Sequence, residues 1–179
     1  MKLSDTVKFA AGLALCVLAR MFSVAPNVEP VMGFTMPFAK KYGRYAGLVF
    51  SLVAMVSIDF FTRRIALWTV YTAIAYAAIG YAAGWFFANR KANRTNFLVF
   101  SVAGTVFFDA VTSMLFGWQF RQPFAVTVMG QIPFTAYHLL GNAAFALIGS
   151  PAVMWALEKT EAKNPSIATS EAGYSETGK

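Results

Sequence analysis

The chain has 179 residues, of which 58% are hydrophobic and 13% charged, and its formal net charge is +7. A soluble domain carries roughly 25% charged residues, and here the deficit comes from long apolar runs, which argues against an ordinary soluble domain. The basic residues sit in short clusters between those runs, as orientation signals and headgroup contacts do, so nucleic acid is not expected as a partner.

A helix needs about 20 mostly apolar residues to cross a hydrocarbon core of about 30 Å. Six such spans with short loops use up most of the chain. The expected fold is therefore all-α: an integral membrane bundle of about six transmembrane helices over residues 1–157. The tail 158–179 is rich in Lys, Glu, Ser, Thr and Gly and is expected to be a disordered cytoplasmic segment.

In chain order, Lys2 and Lys8 followed by Phe9 to Ala19 imitate a signal peptide, and Leu13-Ala14-Leu15-Cys16 imitates a lipoprotein cleavage site. Leu15 fills the position where a small residue is needed, so a retained first span, Val7 to Ala25, is the better reading. Cys16 is the single cysteine, which leaves no disulfide framework or cysteine-rich metal site within one chain. Residues 28–39 contain Glu29, Pro30, Gly33 and Pro37 and are too short for a full crossing alone. They read either as a broken, re-entrant segment lining a cavity or as a short helix extended by the snorkelling stems of Lys40 and Lys41.

A basic turn, Lys40 to Arg44, leads to span three over Tyr45 to Phe61, closed by Thr62-Arg63-Arg64. Span four covers Ile65 to Ala88, a polar basic loop follows at 89–94, and span five covers Phe97 to Phe116. The stretch Phe124 to Leu157 is too long for one simple span. Gly130-Gln131-Ile132-Pro133 is expected to break it, leaving span six at Pro133 to Leu157 and a short helix or structured loop at 124–132. With both termini in the cytoplasm, 11 basic residues lie inside and 4 outside, a positive-inside bias against which Arg63-Arg64 dissents.

Ionisable groups at membrane depth are costly and therefore point to function. Arg20, Glu29, Asp109 and His138 all fall in the outer half of this topology, together with Gln131, Asn142 and Trp118. Asn142 lies four residues after His138, on the same side of one helix. These seven residues are the candidate substrate-binding set. Arg20 would hold an anionic group, Trp118 would stack on a ring, and the amides would fix orientation. The alternative is structural, with Arg20 and Asp109 paired as a helix tie.

No His-Glu-x-x-His pair, Gly-x-Ser-x-Gly elbow or Gly-rich phosphate loop occurs, so neither an enzyme nor a cofactor is expected. With one histidine and one cysteine, a metal site would have to rest on carboxylates. Ala10 and Ala14 in span one, and Gly80 and Gly84 in span four, have the spacing that lets helices approach closely in lipid. They serve either the bundle's own packing or a docking face for another membrane protein.

Taken with the size and the six spans, Ala10-Gly12-Ala14 resembles the docking pattern of the substrate-binding S components of energy-coupling factor (ECF) vitamin transporters. Gly130-Gln131-Ile132-Pro133-Phe134, continuing to Leu140-Gly141-Asn142, is similar to the start of the last helix in some S-component-like sequences. Phe108-Asp109 with Thr112, and Gly117-Trp118, are similar too. The resemblance covers most of residues 7–157. The chain departs from the nickel and cobalt relatives in lacking their histidine-led N-terminus. The resemblance implies a plasma-membrane protein with both termini inside and a small organic, vitamin-like ligand bound near the outer face. It implies partners too, a transmembrane coupling subunit driven by two ATPases and docked at Ala10 and Ala14. A scaffolding membrane subunit without ligand, or a stand-alone small transporter, is the alternative.

Overall fold

The computed structural model describes residues 3–22 and 30–162, and every regular element among them is helical. The helices are α1 (Leu3–Met21), α2 (Pro30–Tyr42), α3 (Arg44–Phe61), α4 (Leu67–Ala88), α5 (Arg94–Gln119), α6 (Phe124–Ala144) and α7 (Ser150–Ala162), with a π turn, Phe145–Gly149, joining the last two. Four helical stretches are long and apolar enough to cross a membrane: α3, α4, α5 and the 36 residues Phe124–Lys159. The other two of the six expected spans fall short of that description. α1 carries Asp5, Lys8 and Arg20 within 19 residues, and α2 has 13 residues, about 20 Å of helix.

α2 is not broken. It is one short helix, and from Pro30 to Ala39 every residue but Phe34 is buried. It packs against α1, α3, α4 and the α6–α7 stretch, so the other helices surround it. Pro37 sits inside it and has no N–H to give to the Gly33 carbonyl one turn back. The Ser150 hydroxyl of α7 donates to that carbonyl instead, at 2.8 Å. A buried carbonyl orphaned by a proline is thus satisfied by a neighbouring helix, which is how proline is tolerated at such depth. Ser150→Ala should leave the carbonyl without this donor and lower stability by about 1–3 kcal/mol in a denaturant titration. Ser150→Thr, which keeps the hydroxyl, should stay closer to the parent.

The basic turn at 40–44 shrinks to a single residue. Lys40, Lys41 and Tyr42 end α2, Arg44 begins α3, and Gly43 alone lies between the two helices at φ 88°. A side chain is rarely compatible with that backbone, so glycine makes the sharp reversal possible. Lys40 reaches across to α4, its Nζ donating to the Phe87 carbonyl at 2.8 Å.

α3 and α4 approach backbone to backbone. A Cβ at Gly80 would fall on the Gly47 carbonyl, and one at Gly84 on the backbone of Arg44. Ser51 Oγ reaches across to the Tyr76 carbonyl at 2.7 Å. The small residues of span four therefore serve internal packing. Aromatic layers fill the neighbouring spaces. Phe38 and Phe50 stack with ring centroids 4.5 Å apart, and Phe9 meets both edge-on. A Cβ at Gly12 would run into the Phe38 ring, so this glycine belongs to the α1–α2 contact.

The expected break at Gly130–Pro133 does not occur. The helix runs through Pro133, and residues 124–132 are its first turns. Pro133 removes one backbone bond and lies on an exposed part of the helix, which costs less than ending it. The irregularity comes later. At the π turn the Ser150 N–H bonds to the Phe145 carbonyl, five residues back. Side chains spaced by four drift about 40° per step around an α-helix. The wider π turn takes back part of that drift, so Ala146, Ser150 and Met154 continue the buried side begun by His138 and Asn142. The helix also continues past 158 to Ala162. The expected tail over 163–179 lies outside the described residues.

Candidate functional site

α5 carries Ser101, Thr105 and Asp109 at four-residue spacing, and α6 carries His138 and Asn142 at the same spacing. Each set lies along one side of its helix. The two helices are consecutive, run in opposite directions and pack together. Two polar rungs result. His138 Nδ1 lies 2.8 Å from Asp109 Oδ1, and Asn142 Nδ2 lies 2.8 Å from Thr105 Oγ1. Asp109, His138 and Asn142 are each 1% exposed, and Thr105 is fully buried. A carboxylate and an imidazole at that burial would be costly apart; each makes the other tolerable.

Hydrogen-bond logic fixes several orientations. An ionised carboxylate only accepts, so Nδ1 of His138 carries the proton and donates to Asp109. The Thr105 hydroxyl donates to the Ser101 carbonyl at 2.8 Å. That uses its only hydrogen, so towards Asn142 it can only accept. Asn142 must then present its NH₂ to Thr105 and turn its oxygen the other way. Asp109 Oδ2 and Asn142 Oδ1 are buried acceptors with no hydrogen-bond partner among the described residues. The hydroxyls of Thr35 on α2 and Ser101 on α5 are buried without one as well. Native proteins leave few such groups, and each calls for an explanation.

The apolar setting is aromatic. Phe108 and Phe134 both meet the His138 ring edge-on, with centroids 5.7 Å and 5.8 Å away. Tyr76 of α4 packs on Phe108 at 4.6 Å. The imidazole is thus held by two ring edges and a carboxylate, so its orientation is strongly constrained.

Of the seven residues expected to form the site, the fold brings together Asp109, His138 and Asn142. Gln131 lies two turns before His138 on about the same side of α6, and it donates to Thr135 of its own helix at 3.2 Å. Trp118 is 76% exposed near the end of α5, away from the rungs. Arg20 is half-buried in the last turn of α1. The ion pair of Arg20 with Asp109 is not what forms, because Asp109 is engaged by His138. Glu29 lies outside the described residues. Ala10 and Ala14 are exposed on α1.

Sequence reasoning missed Thr105, which orients Asn142, and also Asp59. The Asp59 carboxylate is buried at the α3–α4 turn and accepts from Thr69 at 2.6 Å. The i−4 spacing of Thr105 from Asp109 was the available signal. Among the described residues no three His, Cys, Asp or Glu side chains come together in a way that could hold a metal ion. No protein-family profile, no curated protein and no solved structure matches this chain.

Proposed function

We propose that this chain is a membrane-embedded binding subunit that captures a small organic nutrient at the α5–α6 rungs, for uptake driven by partner ATPase subunits. The observation that carries this reading is the pair of buried acceptors, Asp109 Oδ2 and Asn142 Oδ1, left over after the two rungs form. Buried polar atoms are normally paired, and a bound molecule would pair them. The chain's own contribution is recognition. It lacks a phosphate-binding loop, and the likeness of Ala10-Gly12-Ala14 to S components of ECF vitamin transporters supplies the idea of a separate motor.

In this reading the chain makes six membrane passes, with α1 and the short α2 completing the set alongside the four longer helices. Both termini are cytoplasmic in the plasma membrane, as the distribution of basic residues suggests. A single cysteine at Asn93, in a Cys16→Ser background, should then resist impermeant thiol reagents in intact cells. Labelling from outside would overturn the orientation.

The coupling subunit would meet α1 at Ala10 and Ala14. Gly12, between them, is occupied by Phe38, whereas both alanines are exposed. Ala10→Leu or Ala14→Leu therefore adds bulk where the bundle itself has room, and the fold should tolerate it to within about 0.5 kcal/mol. Close helix approach by a partner would be lost. Uptake should fall while binding by the isolated subunit stays unchanged. Uptake that survives both substitutions would remove the docking part of the reading.

A further inference from the structure

Two buried oxygens define what kind of molecule can sit at the rungs. Asp109 Oδ2 and Asn142 Oδ1 belong to successive rungs, about one helical turn or 5–6 Å apart along the helix pair. Neither can donate. The carboxylate accepts only, and Thr105 holds the Asn142 amide so that its oxygen is the atom turned away. An anionic ligand would place its own oxygens against two acceptors, one of them a carboxylate oxygen, in a setting where charge repulsion is poorly screened. A neutral acceptor would leave both oxygens as they are. A group with two or more N–H donors and a positive charge would satisfy both and neutralise Asp109.

Resting on the binding reading above, we propose that the ligand is a small organic cation carrying two N–H donors, such as an amidine, guanidine or protonated amino-heterocycle, and not the anion expected from Arg20. The N–H groups would bond to Asp109 Oδ2 and Asn142 Oδ1. The Phe108 and Phe134 rings beside His138 supply apolar walls compatible with a planar group. Asp109 is then the charge-selecting residue. Thr105 acts through Asn142, as a positioning residue that keeps the amide oxygen forward.

The probes are acetamidinium, acetamide and acetate, which are isosteric and differ in charge and donor count. Each is titrated against the purified full chain in lipid nanodiscs at constant ionic strength, reading thermal stability as a measure of binding to the folded state. Acetamidinium should stabilise the protein, with apparent affinity about ten-fold or more above acetate and acetamide, the scale of one charge-assisted hydrogen bond. Asp109→Asn should abolish that preference. Thr105→Val removes the acceptor that holds the Asn142 NH₂, so the amide can turn and offer a donor. Its preference for acetamidinium over acetamide should fall several-fold even where Asp109→Asn proves unstable. Acetate or acetamide binding as well as acetamidinium would overturn the cation assignment and leave the binding reading standing. A shift that persists in Asp109→Asn would overturn it too. No response to any probe would also overturn it, with the two oxygens satisfied by water. In that case native mass spectrometry decides the binding reading separately: a bound organic molecule without a basic nitrogen keeps it, and an empty protein removes both.

Discussion

Replacing His138 with alanine should destabilise the protein by about 3–5 kcal/mol, because it strips a buried carboxylate of its partner. Asp109 is 1% exposed, and its Oδ1 is held by His138 while its Oδ2 has no hydrogen-bond partner among the described residues. The value separates two descriptions of the pair. Neutral hydrogen bonds between membrane helices are worth only about 0.6 kcal/mol on average, because the unfolded chain in the bilayer finds other partners. A bond to an ionised carboxylate has no such replacement in hydrocarbon. The cycle therefore compares His138→Leu, Asp109→Val and the double variant by unfolding in mixed micelles. Each single change should cost several kcal/mol. The double variant should regain at least half of the larger loss, since replacing both partners with apolar groups is often near neutral. A coupling energy near 0.6 kcal/mol would mean an ordinary neutral hydrogen bond, and the electrostatic account of the site would fall.

Gly80→Leu should be as damaging for a different reason. A Cβ there meets the Gly47 carbonyl and Ser51 Oγ, and backbone cannot move aside as a side-chain tip can. Overpacking costs typically about 1–3 kcal/mol. This contact belongs at or above the upper end, because parting α3 from α4 also lengthens the Ser51 bond to Tyr76. Gly130→Leu is the matched control, since nothing lies within 4 Å of a Cβ built there. It should change stability by no more than about 0.5 kcal/mol. Leucine gains helix propensity over glycine at both positions alike, so equal changes at the two would show that the α3–α4 approach does not decide the outcome.

The helix core was legible wherever charge bounds an apolar run. Span three was read as Tyr45 to Phe61 against Arg44–Phe61, and span five as Phe97 to Phe116 against Arg94–Gln119. The last helix was misread because Gly130 and Pro133 look like breakers. A proline on an exposed face forfeits one backbone bond, and the helix on either side outweighs it. The π turn has no comparable signature in Phe145–Gly149. In α2, Pro37 looked disruptive because the donor that repairs it, Ser150, is 117 residues from Gly33.

Site residues divide along the same line. Depth along a helix follows from residue count, which selected Asp109, His138 and Asn142 correctly as neighbours in height. Which side of the helix faces inward does not follow from count. That is why Trp118, exposed on the surface, was grouped with them, whereas Gln131 shares the side of His138 two turns away and bonds to Thr135 of its own helix instead. The structural alternative pairs Asp109 with Arg20, because opposite charges suggest pairing. Helix packing set α6 beside α5 and supplied a histidine instead. Thr105 escaped notice because an uncharged hydroxyl carries no burial cost as large as a charge does, and its four-residue spacing from Asp109 is the one signal that points to it.

The most direct measurement is native mass spectrometry on the full chain, drawn from its own membranes into nanodiscs without added ligand. If the α5–α6 rungs hold a nutrient, the wild-type protein should carry a small organic molecule of defined mass. The Asp109→Val/His138→Leu variant, after passing the unfolding control, should arrive without it. A wild-type protein with nothing bound, or the same mass retained by the double variant, would contradict the account and leave the two rungs as ties between helices.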